Sequence, residues 1–519
     1  MIGPKLLATA ALVACGAPLC AAPSFQGPPQ GGPPGGASSG GPPPRPEPGV
    51  KRALDGLFDG YNLVSPLGAR DVVLFDMQGE AVHTWPTELA PGGPVYLLDD
   101  GSILRPGRVD ENPRFKGGGI GGRIERIAWD GEPLWQFDLL SDEWTQHHDL
   151  AVLPNGNVLA VVWVAHSPEE ARRAGRDPEV VREEGLWSCS VLEIAPRPPK
   201  GGDIVWRWNS WDHLIQDQDE SLPNHGSIPD HPERIDVNAD HRDRPPMTEA
   251  EREKLAELER KMRALGYIGG DDDEDEPDDA AKRRRERGTR PDWLHTNSVD
   301  YNAPYDLIVL STPHLCELWV IDHSTTTAEA AGSTGGRWKK GGDLLWRWGN
   351  PRNYGRGSDA EQRLFYQHDP KWLEGPVGDL RLTVYNNGGG RPGGDYSSVE
   401  ELVLPFSEST GFLRAPDKAF GPEQPAWSFG EPGVFFSPFI SGAQRLPNGN
   451  TLICEGAPGR LLEVSGSGKI LWEYVNGHYG RAVPKSAVAP DTPPGALFRA
   501  TRVARDHPGL AGRDLAPGD

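Results

Sequence analysis

From about residue 50 the chain repeats one alternation. A short apolar run is followed by a turn carrying glycine and a second run carrying tryptophan. It occurs at Val72–Trp85, Ile124–Trp135, Val191–Trp208, Leu318–Trp348, Val399–Trp427 and Leu461–Trp472. Runs of this length, rich in branched and aromatic residues and broken by glycine, predict strands joined as hairpins. A second hairpin type lies between these units. Two copies are nearly identical, His148-DLAVLPNGNVLA-Val161 and Ser441-GAQRLPNGNTLI-Cys454, and weaker copies start near Gly93, His295 and His368.

Two hairpins per unit make a four-stranded antiparallel blade. No single blade can bury both its faces, so the units must stack, and closing them into a ring removes most open edges. Six tryptophan units predict a six-bladed β-propeller over residues 50–505. The first unit lacks its leading strand, and Leu497–Val503 is the segment that can supply it and close the ring. A pair of β-sandwiches is the competing architecture, and the blade-sized period speaks against it.

The rest of the chain departs from the repeat. Residues 1–22 read as an export signal, with Lys5 ahead of the apolar run Leu6–Ala14, which is too short to span a bilayer. Processing has two readings: lipidation at Cys15 after Leu12-Val13-Ala14, which gives a lipid anchor, or cleavage near Ala21 or Ala22. Residues 23–49 are Pro, Gly and Ser and read as a flexible linker. Residues 215–290 form an insertion. Within it Thr248 and Glu251 make a capping box before a predicted helix to about Leu265, followed by an acidic run, Asp271–Asp279, and a basic run, Lys282–Arg287. Residues 506–519 form a C-terminal tail.

The net charge of −22 argues against nucleic acid as a partner. After export only Cys189, Cys316 and Cys454 are certain to remain, at spacings that suggest neither a disulfide framework nor a metal site. The candidate chemistry lies elsewhere. The first strand of a blade lines the axis, and three inner hairpins start with histidine: His148, His295 and His368. Second strands return to the same end, where the turns Asn386–Arg391 and Glu455–Arg460 follow, so Arg391 and Arg460 are expected at the same mouth. Arg499, early in the closing strand, is expected to join them. Arginine forks match the oxygens of sulfate, phosphate or carboxylate. Neutral imidazole can act as nucleophile or proton carrier. Three histidines could instead hold zinc. Arginines beside them oppose a cation, and no H-x-x-x-H or carboxylate-rich set accompanies them, so neither a metal nor another cofactor is expected.

Several of these segments resemble the arylsulfate sulfotransferase family: Trp293-x-His295-x-Asn297, Gln367-His368-Asp369, the Asn387-containing turn ending in Arg391, Ser437-Pro-Phe-Ile-Ser441, and His147-His148-Asp149 with the hairpin after it. The resemblance runs over roughly residues 60–505, outside much of the insertion. It implies a six-bladed propeller that moves a sulfuryl group between phenols without a nucleotide donor. An aryl sulfate would sulfate a histidine, and an acceptor phenol would then take the group. It also implies that His295, His368 and Arg391 hold the sulfuryl oxygens, with His148 as a further catalytic candidate and Asn297, Asn387, Arg460 and Arg499 around the substrate. One position departs from the family. Where the resemblance sets the family's nucleophilic histidine, this chain carries Arg460, which stays protonated and cannot take that role. Three outcomes follow: His148, His295 or His368 is the nucleophile; the chain hydrolyses sulfate or phosphate esters; or it binds an anionic ligand or protein partner without catalysis.

Overall fold

The computed structural model describes residues 47–517, apart from 110–111, 113, 116, 377, 482–494 and most of 243–289. The expected ring is present: six antiparallel sheets follow one another as propeller blades. From the axis outward, blade one is Leu497–Ala504, Gly60–Pro66, Val72–Phe75 and Ala81–Trp85, so the C-terminal strand is its innermost member. Blade two is Tyr96–Leu97, Ile103–Arg108, Gly122–Ile127 and Pro133–Asp138; blade three is Trp144–Val152, Val158–His166, Leu186–Pro196 and Gly202–Asn209. Blade four is Ser298–Asn302, Leu307–Thr312, Glu317–Asp322 and Trp346–Trp348; blade five is His368–Leu373, Arg381–Asn386, Ser398–Val403 and Trp427–Phe429. Blade six runs Gly442–Arg445, Thr451–Glu455, Arg460–Val464 and Ile470–Val475, and differs from expectation in having a fifth strand. Gly49–Ala53 adds to its outer edge, pairing with Ile470–Val475. That segment shows only partial burial and no apolar alternation, so its strand character comes from the edge it covers.

The core lies between blades. One cluster joins Val161, Val191 and Trp208 of blade three to Leu310, Trp319 and Ile321 of blade four, and corresponding clusters join the other neighbours. The periodic tryptophans explain the stacking. In five of the six blades an outer-strand indole N–H reaches a carbonyl on the next blade's side: Trp135 to Gly201 (2.7 Å), Trp208 to Gly342 (2.7 Å), Trp346 to Gly421 (2.7 Å), Trp427 to Gly466 (2.9 Å) and Trp472 to Met77 (3.2 Å). Trp85 instead packs edge-on against Trp129, with ring centroids 5.0 Å apart. Tryptophan suits this place because it buries a large ring and keeps one polar handle.

The described start of the insertion lies between blades three and four. Leu214–Ile215 and Ile235–Asp236 pair as short parallel strands, and Arg176 clamps Asp240 in a buried pair (2.6 and 2.7 Å). The predicted helix and the charged runs fall outside the described residues, apart from scattered positions. No helix among the described residues is long and apolar enough to cross a membrane.

Candidate functional site

Three inner strands carry a kink in or just ahead of them, at or beside a histidine. His148 and His295 have φ of 56° and 51°, and Asp369, directly after His368, has 54°. Left-handed backbone is unfavourable for residues with a Cβ. It falls within Trp144–Val152 at His148, three residues before Ser298–Asn302 at His295, and on the second residue of His368–Leu373 at Asp369. Close packing around His148 requires Gly119: a Cβ there would lie 2.4 Å from the imidazole, while the Gly119 carbonyl accepts the His148 backbone N–H at 2.6 Å.

The structure brings the three histidines together. The His148 and His295 rings meet edge to face, 4.5 Å between centroids. His148 and His368 flank Phe498, at 6.1 and 6.4 Å. Two more histidines complete the group. The His147 ring stacks on Trp163 (4.0 Å) and its Nδ1 lies 2.7 Å from His148 Nδ1. His314 stacks on His295 (4.7 Å). Burial pushes His147, His314 and His368 down to about 3 and His148 well below the usual histidine value, so all four are neutral at pH 7.

His368 is the most defined of them. Its Nδ1 lies 2.7 Å from Asn387 Oδ1 and 3.1 Å from the Tyr366 carbonyl. The Asn387 amide nitrogen donates to the carbonyls of Ser437 (2.8 Å) and Ile440 (2.9 Å), which fixes its oxygen toward the imidazole. Nδ1 therefore carries the proton, because both its partners are acceptors. Nε2 is left with a lone pair, buried and without a hydrogen-bond partner. His295 is held differently. Its Nδ1 contacts the Asp292 carboxylate, which also accepts the His295 backbone N–H (3.1 Å) and the Trp163 indole N–H (2.9 Å). Although burial works against it, the Asp292 carboxyl is held below its usual range by His295, His314 and His147.

The other sequence candidates are placed differently. Asn297 bonds the Gln367 carbonyl (2.9 Å), tying blade four to the residue before His368. No described contact links Arg391 or Arg460 directly to the histidines. Arg391 lies over the Tyr396 ring (4.1 Å) and donates to Ser398 (3.0 Å). Arg460 is taken by Glu473 (2.9 Å) and Glu455 (3.1 Å), carboxylates that bind it within its own blade. Arg499 does reach the axis, but bound between Asp149 (3.1 Å) and Asp369 (2.9 Å). Sequence reasoning missed His147, Asp292 and His314. The repeat itself could have found His314, which stands on the turn after the second strand of blade four, the counterpart of the turns that carry Arg391 and Arg460. Among the described residues no group of three or more His, Cys, Asp or Glu side chains is arranged to hold a metal ion.

A ring of six blades with a buried histidine cluster on and beside its inner strands defines a propeller with a polar centre. The arylsulfotransferase (ASST) family pattern matches residues 118–477, well over half of the chain, and the chain belongs to that family. No curated protein matches it. Solved structures similar to it include a protein of unknown function from Bacteroides caccae (12% identity, 85% of this chain and 98% of that one, TM-score 0.39) and the periplasmic gluconolactonase PpgL of Pseudomonas aeruginosa (12%, 86% and 99%, TM-score 0.33). A third is virginiamycin B lyase from Staphylococcus aureus, in a catalytically inactive form with quinupristin (9%, 82% and 88%, TM-score 0.30). At these scores the likeness carries no inference about this chain.

Proposed function

We propose that the protein transfers a sulfuryl group from an aryl sulfate to a phenol, with His368 Nε2 as the nucleophile. The observation that carries this reading is the fixed tautomer of His368: its proton is held at Nδ1 by Asn387, and its Nε2 lone pair is buried and unpartnered. In the first half-reaction Nε2 attacks sulfur, an S–N bond forms and the S–O bond to the aryl group breaks. The departing phenolate takes a proton from His295, whose imidazolium Asp292 stabilises. In the second half the acceptor phenol gives its proton to His295 and attacks sulfur, and the S–N bond breaks to restore His368. Asp292 orients His295 as the third member of a nucleophile–base–carboxylate set does. The reading gives Arg460 no part in bond making. The N-terminal run Leu6–Ala14 supports export to the periplasm or cell envelope, anchored by lipid if Cys15 is the processed residue.

Release of p-nitrophenol from p-nitrophenyl sulfate that depends on added phenol is the expected outcome. Release without phenol would point to a hydrolase. Saturable anion binding with no release would point to a binding propeller.

A further inference from the structure

Behind the histidines lies a set of charged side chains that the reaction does not use. Asp149 and Asp369 each directly follow a pocket histidine. Arg499 bridges them: its Nη2 is 3.1 Å from Asp149 Oδ2 and its Nε 2.9 Å from Asp369 Oδ1. The Tyr96 hydroxyl donates to Asp149 Oδ1 (2.5 Å) and accepts from Arg499 Nη1 (2.9 Å). Asp149 Oδ2 takes the Val299 backbone N–H (3.1 Å), and Asp369 Oδ2 takes that of Ala443 (3.1 Å). The Asp369 backbone N–H donates to Ser298 Oγ (2.9 Å), and Lys371 pairs with Asp300 (3.3 Å).

These residues come one or more from each of the six inner strands, so the network crosses the axis. Arg499, Asp149 and Asp369 are buried at 6%, 0% and 2% exposure. Taking charges out of water is unfavourable, and well-packed apolar residues would close a channel at lower cost. Arg499 bonds Asp149 as a fork through Nη1 and Nη2 and meets Asp369 as an ion pair without hydrogen-bond alignment, so one cation is held between two carboxylates from the inner strands of blades three and five. Each carboxylate sits one residue from a pocket imidazole, on a strand whose left-handed kink could otherwise relax.

We propose that Arg499, held between Asp149 and Asp369, is a positioning residue that fixes His148 and His368 relative to each other across the axis. The proposal rests on the sulfotransfer reading for its kinetic expectation, but not for its structural one. Lysine at 499 keeps the charge and lacks the fork that Asp149 accepts. Arg347→Lys is the control, since Arg347 makes a fully buried ion pair with Glu317 and its described contacts reach none of the clustered histidines.

The full chain is compared as wild type, R499K, Y96F and R347K, with p-nitrophenyl sulfate and phenol as substrates and histidine-nitrogen NMR as a second readout. For R499K the expected result is KM within about twofold of wild type and kcat about a hundredfold lower, the scale of loss for a small misplacement of reacting groups. The imidazole signals of His148 and His368 should move. Y96F should change the same quantities in the same direction by less, and it decides the matter if R499K does not fold. R347K should lose stability with kcat and these signals unchanged. Inactive wild type with moved signals in R499K would sink the sulfotransfer reading and leave the positioning role standing. Folded R499K with wild-type kcat and signals, or R347K changing both as much as R499K, would overturn the proposal.

Discussion

At the scale of single residues, hydrogen-bond partners separate histidines that composition cannot. His148, His295 and His368 are equivalent in the sequence, each near the start of an inner hairpin. Only the structure shows that Asn387 fixes the proton of His368 and that Asp292 backs His295. Asn387 lies nineteen residues from His368, so no local spacing marks it, whereas Asp292 stands three residues before His295 and that spacing was open to reading. Replacing Asn387 with leucine should lower kcat on the order of a hundredfold with little change in KM, because it frees the tautomer without removing the nucleophile. Steady-state kinetics with folded protein would check this. Asp292→Asn should slow transfer by a factor of roughly 10²–10⁴, the range of general acid–base contributions. That loss should grow as the leaving phenol becomes more basic. A loss independent of the leaving group would remove His295 as proton donor. Arg391 and Arg460 stand on the turns where the repeat places them, but a neighbouring ring and two carboxylates bind them first.

At the scale of the element, the repeat was legible because every blade uses the same device. The tryptophan at the outer strand is periodic in sequence because its indole N–H meets the next blade's carbonyl at nearly every step. Trp208→Phe should cost about 1 kcal/mol, the net value of one hydrogen bond, and Trp208→Ala about 3–5 kcal/mol. Urea unfolding would separate the two. The blade three to blade four joint also carries a pH-sensitive link. His323 bonds Asp306 (2.7 Å) and Glu193 (3.2 Å). Burial lowers its proton affinity, but the two carboxylates more than reverse that and raise it to about 9. A raised folded value means the contribution is full below the unfolded value near 6.5 and is lost as pH rises through about 9. Wild type should therefore lose more stability between about pH 7 and 10 than His323→Gln does. Equal losses would show the link to be silent. The fifth strand of blade six was not legible, since Gly49–Ala53 has no apolar pattern and forms by covering an edge.

For the whole molecule, the ring ties acid stability to the pocket. Burial holds His147, His314 and His368 at about 3, while in the unfolded chain each would titrate near 6.5. A lowered folded value gives stability that is full above about 6.5 and falls as pH drops toward about 3. Each such group contributes up to about 1.4 kcal/mol per pH unit in that window. Denaturation midpoints should fall steeply from about pH 7 to 5, and His147→Gln should flatten the slope. The sequence carried blade number, closure by Leu497–Val503 and the mouth where the histidines gather, because these follow from repetition. It did not carry the contacts across the axis, which join residues hundreds of positions apart. The measurement that bears most directly on the central claim is mass spectrometry of the protein quenched after mixing with p-nitrophenyl sulfate and no acceptor, in wild type and His368→Ala. A sulfuryl group on the His368 peptide, discharged by phenol and missing with all transfer activity from the variant, is the expected result. Transfer that survives in His368→Ala, or a sulfuryl group on another residue, would contradict the account.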